Sequence, residues 1–197
     1  MRPEDYDEEL SAFHECAHAV VSILCHVHVL KVVLYGEDNG SIKYGECIVE
    51  SNLLQHMTGE CLPGILAGPI VDMEWNMEWS GGGSKFEDIE QIYTFAEGTD
   101  MYLARESAGH MYDLSLRRVL NLATGELVAT PPAHSKDIGV RKILESAVDD
   151  IYKNCVMPNW DMIGKVSDRL LKSRKLTGKQ VQRIMIDYLK KEKRLAA

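Results

Sequence analysis

Apolar residues recur at steps of three and four from Glu8 to about Cys25, at Leu10, Phe13, Ala17, Val20, Val21 and Leu24. That period predicts a helix at the front of the chain. The pattern then changes: "VHVLKVVLYG" is β-branched and short and ends at Gly36, the turn signal "EDNG" follows, and "IKYGECIVE" repeats the strand-like character. A small antiparallel β element therefore follows the first helix. Helical spacing returns in "LLQHMTGECLPGILAGPIVDMEWNMEW", with an expected interruption around Pro63-Gly64, and the glycine cluster "SGGGS" breaks the chain from Ser80 to Ser84.

Beyond that break Ile89, Ile92, Tyr93 and Ala96 mark one face of a new helix. Helices are also predicted from about Met101 to Leu122 and, after the loop "TPPAHS", from Asp137 to Asn154. The closing stretches "PNWDMIGKVSDRLLKSRKL" and "TGKQVQRIMIDYLKKEK" read as a helix pair, with Thr177 as N-cap of the last helix. No internal repeat is present. The predicted fold is mainly α with a small antiparallel sheet near the N-terminus, in one domain over residues 1–197: a sheet-bearing part over 1–100 and a helical part over 101–197.

Composition narrows the classes of function. The chain has 197 residues, 45% hydrophobic and 26% charged, which is ordinary for a globular domain. A net charge of −8 and a pI near 5.4 argue against nucleic acid as the partner, because phosphate neutralisation needs a surplus of Lys and Arg. The basic "LKKEKR" reads as a solvated helix end. The most apolar run, "AVVSILCHVHVLKVVL", is interrupted by His26, His28 and Lys31, so no membrane span is expected. Five cysteines without a Cys-x-x-Cys pair, and an acidic start without a signal peptide, predict reduced thiols in a cytoplasmic protein.

Candidate chemistry lies on the first helix, in "SAFHECAHAVVS". Residues four apart share a helix face, so His14 and His18 can aim at one metal ion, with Glu15 about a hundred degrees round from His14. This His-Glu-x-x-His pattern suits zinc: the ion polarises a carbonyl and acidifies water while the glutamate takes the proton. The flanks are apolar, and a buried polar group without a partner is costly. A catalytic zinc needs a third protein ligand. The downstream candidates are Asp72, Glu74, Glu87, Asp88, Glu90, His110 and His134.

Five segments in order resemble the FtsH-like zinc metallopeptidases, specifically their protease domain without the ATPase or transmembrane segments. "AFHECAHAVV" resembles that family's His-Glu-Ala-Gly-His-Ala segment, and "LKVVLYGEDNGSIKYGECIV" its strand, turn and Gly-containing second strand. "ILAGPIVDMEW" is similar to its Leu-Gly-Gly-Arg-Ala-Ala-Glu-Glu helix, and "GGGSKFEDIEQIYTFA" to its Gly-Ala-x-x-Asp-Leu segment. "NWDMIGKVSDRLLKSRKLTGKQVQRIM" looks like its closing helices with the Leu-Thr-Gly step.

The resemblance implies a zinc endopeptidase in which His14, His18 and Asp88 bind Zn2+ and Glu15 is the general base. Glu87 is the alternative to Asp88, and Asp72 the carboxylate behind a zinc-bound histidine. It also implies an extended polypeptide substrate on the sheet edge. Six-fold rings in the family, with the stripe Met73, Trp75, Met77 and Trp79, suggest a homo-oligomer. With no Walker motif the chain is expected to act without ATP on flexible polypeptide, and a separate ATPase partner would have to feed it folded substrates. Cys16, Ala17 and Pro69 depart from the family pattern, which motivates a second reading: an inactive metal-binding scaffold that keeps the fold. Cys16 itself reads as a buried thiol, and His26 and His28 as exposed strand positions.

Overall fold

The computed structural model describes residues 8–36, 42–50, 55, 58–75, 85–93, 96–123 and 133–195. The expected turn "EDNG", the glycine cluster 80–84 and the stripe residues Met77 and Trp79 lie outside them. The fold is mostly helical with one three-stranded antiparallel sheet. Helix α1 runs Glu8–Leu24, and strands β1 and β2 run His28–Gly36 and Ile42–Glu50. Among the described residues, the helices that follow the hairpin are α2 Leu62–Trp75, α3 Lys85–Ile92, α4 Asp100–Ala123 and α5 Ala133–Ile151. A π-turn at Tyr152–Val156 and a 3-10 turn at Met157–Asn159 lead into α6 Trp160–Ser173. Strand β3 is Lys175–Thr177, and α7 is Gly178–Leu195.

Helix α1 is the axis of the molecule. Every residue from Leu10 to Ser22 is buried, because α2, α6 and the hairpin all pack on it. Its N-terminal turn carries Glu8 and Glu9, the sign a helix start favours. Pro63, expected to interrupt a helix, sits in the first turn of α2, where its missing N–H costs nothing. The other proline, Pro69, lies inside α2 and gives up one helical hydrogen bond.

The sheet order is β2-β1-β3. β1 pairs with β2 through Val32↔Cys47 and Leu34↔Gly45, and with β3 through Val32↔Leu176. Among the described residues, the outer edge of β2 has no strand beside it. The third strand arrives through a left-handed turn: α6 ends at Arg174 (φ 57°), whose N–H donates to Leu170 O at 2.7 Å. Leu34 N–H then donates to Arg174 O at 2.8 Å. Thr177 caps α7 as expected and forms a reciprocal capping box. Gln180 N–H donates to Thr177 Oγ1 at 3.3 Å while Thr177 N–H donates to Gln180 Oε1 at 2.8 Å.

One hydrophobic core runs from Leu10 to Met185 and takes side chains from α1, the sheet and every later helix. Helix α6 supplies Met162, Ile163, Val166 and Leu170 at helical spacing. No described helix is long and apolar enough to cross a membrane. The expected stripe residues Met73 and Trp75 part company: Met73 is buried, whereas Trp75 is partly exposed and packs at a tilt of 57° against Phe13, 5.4 Å between ring centroids.

Candidate metal centre

His14 and His18 lie one turn apart on α1 and meet Asp100, the first residue of α4. The three ligand atoms lie within 4.8 Å of one another, the only such His/Cys/Asp/Glu group among the described residues. His14 Nε2 and His18 Nε2 are 2.9 Å apart. Asp100 Oδ2 is 3.2 Å from the first and 3.4 Å from the second. Both imidazoles are about nine-tenths buried, and the Asp100 side chain is 29% exposed.

The far nitrogens explain why these atoms face one another. His18 Nδ1–H donates to Gly64 O at 2.6 Å, and His14 Nδ1 lies 3.0 Å from Asp72 Oδ2. With each Nδ1 carrying the proton, each Nε2 presents a lone pair. Two lone pairs and a carboxylate oxygen converging at this range repel unless a proton or a metal ion stands among them, and His14 Nε2 and Asp100 Oδ2 are at hydrogen-bond distance, 3.2 Å. The titration behaviour agrees. Burial lowers the affinity of His14 for a proton, but Asp72, Asp100 and Glu15 reverse that and leave it raised well above the ordinary value. For His18 burial also lowers and Asp100 more than compensates. Burial would raise Asp100, yet His18 and His14 hold its carboxyl well below the usual range.

Space for a cation comes from helix α2. A Cβ on Gly68 would stand 2.5 Å from His14 Nε2 and no farther from His18 Nε2. Glycine at 68 therefore leaves open the volume onto which both imidazoles converge. Four residues earlier, Gly64 brings its carbonyl to His18, and a Cβ there would collide with Ser22 Oγ.

Glu15 is buried beside the pair, against β2. A Cβ at Gly45 would collide with Glu15 Cγ and stand 3.0 Å from Oε1, so only glycine lets the carboxylate lie along the strand. There it accepts a hydrogen bond from the Cys47 backbone. Burial pushes the Glu15 carboxyl up, with His14 and His18 opposing, which moves it towards the proton affinity of a working base. All four side chains open onto a cleft of about 630 Å³, walled by Gly45, Cys47 and Val49 of β2 and by Ile65 and Leu103. A larger groove of about 800 Å³ lies between α6 and α7 beside Phe13, away from this chemistry.

Of the residues expected at the metal, the structure brings together His14, Glu15 and His18. Asp88 does not join them. Helix α3 is anchored by buried Phe86 and Ile89 and, outside, by Arg141 of α5, which pairs with Glu90 at 3.0 Å and with Glu87 at 3.8 Å. That docking directs Tyr93, just past the helix end, towards the histidines, while Asp88 stays half-buried on the helix. The carboxylate beside the pair is Asp100, absent from the sequence candidates. It reads as an ordinary first-turn acid after Thr99, whose Oγ1 accepts from Tyr102 N–H at 3.2 Å. Gly98, at φ 85°, supplies the preceding turn.

The remaining candidates stand elsewhere. Asp72 backs His14, as the resemblance implied. Cys16 is fully buried. His28 pairs with Glu50 across the exposed strands at 2.8 Å, and His26 sits in a left-handed turn outside the sheet. His110 is exposed on α4. No family model matches the chain, and no curated protein matches it.

Proposed function

We propose that this chain is a zinc-dependent endopeptidase of FtsH-like type acting on unfolded or flexible polypeptide. His14, His18 and Asp100 hold the ion, and Asp100 takes the place assigned to Asp88 from sequence. The observation that carries the reading is the convergence of two Nε2 atoms and one carboxylate oxygen within 4.8 Å of one another, beside Gly68, where a Cβ would come within 2.5 Å of both nitrogens. Donors bound 2.0–2.1 Å from one tetrahedral ion stand about 3.3 Å apart, and the three separations are 2.9, 3.2 and 3.4 Å. Two imidazoles and a carboxylate are also one of the donor sets of catalytic zinc.

Bound zinc would supply Lewis acidity to the scissile carbonyl and to the attacking water. Glu15, held on β2 by the Cys47 N–H, takes the proton of that water and passes it to the leaving amine. β2, whose outer edge has no strand beside it among the described residues, lines one wall of the cleft. An extended segment added there would make main-chain hydrogen bonds and lie across the site, which favours flexible polypeptide over folded protein. Folded substrates would require a separate ATPase.

Cys16, Ala17 and Pro69, which motivated the scaffold reading, are all buried and none of them lines the cleft. Glu15→Gln tests the enzyme reading. The variant is expected to keep one zinc per chain and lose casein cleavage by about 10²-fold or more. A fully zinc-loaded wild type that cleaves no disordered substrate would establish the scaffold instead.

A further inference from the structure

Tyr93 lines the cleft with its ring stacked against His14, the centroids 6.4 Å apart and the planes inclined by 28°. Its backbone N–H donates to Ile89 O at 2.9 Å, which extends the α3 hydrogen-bond pattern by one residue and fixes the direction of the side chain. The hydroxyl donates to Asp72 Oδ2 and lies 3.4 Å from His14 Nδ1. That Asp72 oxygen is the one 3.0 Å from His14 Nδ1. Two donors from different elements, a phenol and an imidazole, thus meet on one carboxylate oxygen.

We propose that Tyr93 is a positioning residue of the metal centre: its hydroxyl locks Asp72 onto His14 and so sets how tightly the histidine pair and Asp100 hold a cation. This rests on the metal-site reading above and adds a residue to it. A carboxylate with one donor on an oxygen retains freedom to rotate, whereas a second donor at a fixed angle removes it. With Asp72 fixed, the His14 ring plane is fixed through Nδ1, and Nε2 stays aimed beside Gly68. Partners of this kind behind a metal-bound histidine commonly change metal affinity by 10- to 100-fold. The stretch from Tyr93 to Asp100 then supplies both a ligand and the group that orients another.

Tyr93→Phe keeps the ring and removes only the hydroxyl. Zinc affinity of the full chain, by competition with a chromogenic chelator, is to be measured for wild type, Tyr93→Phe, Asp72→Asn and the double variant. Tyr93→Phe is expected to weaken binding about 10- to 100-fold and to alter the visible spectrum of the cobalt(II)-substituted protein. Its metal-free melting temperature should fall by no more than the loss of one hydrogen bond produces, a few degrees. Because Tyr93 acts through Asp72, the double variant should bind no more weakly than Asp72→Asn alone. A Tyr93→Phe affinity within about twofold of wild type, or independent losses in the double variant, would overturn the proposal and leave the metal site standing. So would a larger fall in the metal-free melting temperature with unchanged affinity. A wild type that binds no zinc would overturn both.

Discussion

At the scale of single residues the site depends on what is absent at position 68. A methyl group there would come within 2.5 Å of both Nε2 atoms, although alanine suits a helix interior better than glycine by about 1 kcal/mol. Gly68→Ala is therefore expected to fold and to lose zinc, seen as metal content near zero after dialysis and a circular dichroism spectrum like wild type. Full zinc content in that variant would remove Gly68 from the account. Three of the site residues are legible in sequence because they lie within one turn of one helix, where spacing alone fixes the face. Asp100 is not, since its approach depends on how α4 docks, and a Thr-Asp step at a helix start has the same appearance wherever the helix ends up. Asp88 shows the reverse case: the surrounding motif is present, yet Phe86, Ile89 and Arg141 dock the helix so that another residue reaches the histidines.

Among the elements, the hairpin and the first helix follow their sequence patterns almost to the residue, since a strict period and a turn signal leave little choice. β3 is invisible by the same criteria. Three residues are too few for an alternation to register, and only pairing with Lys31, Val32 and Val33 makes them a strand. Its delivery depends on Arg174 in a left-handed conformation, where glycine is the usual residue. The Thr177 capping box then starts α7 directly after β3, coupling sheet and helix. Thr177→Ala removes an N-cap oxygen and is expected to cost about 1 kcal/mol, read as a lower urea midpoint with an unchanged slope. A midpoint equal to wild type would show that the packing of α7 sets its start without the cap.

The whole molecule is organised around a helix that is its packing centre and also carries two of the three candidate metal ligands, and four of its thiols share one consequence of burial. Cys16 and Cys47 are pushed well up by it, Cys155 is raised, and Cys25 is raised to about 11 by burial and the adjacent Cys155. Unfolded thiols ionise near pH 8.5. The native state therefore retains protons that the unfolded chain releases. This contribution to stability is complete below that value and lost as pH rises through the folded values. Urea midpoints should fall between about pH 9 and 11, with a smaller fall in Cys25→Ser; a flat profile would mean the thiols are not protected. A convergence of distant segments also carries the central claim, because the proposed ligands come from the first helix and from residue 100. Zinc titration of metal-free wild type, Asp100→Ala and Asp88→Ala tests it most directly. The expected result is one zinc per chain, an affinity lowered more than about 100-fold by Asp100→Ala, and no change in Asp88→Ala. A wild-type affinity in Asp100→Ala, with the loss in Asp88→Ala instead, would contradict the account.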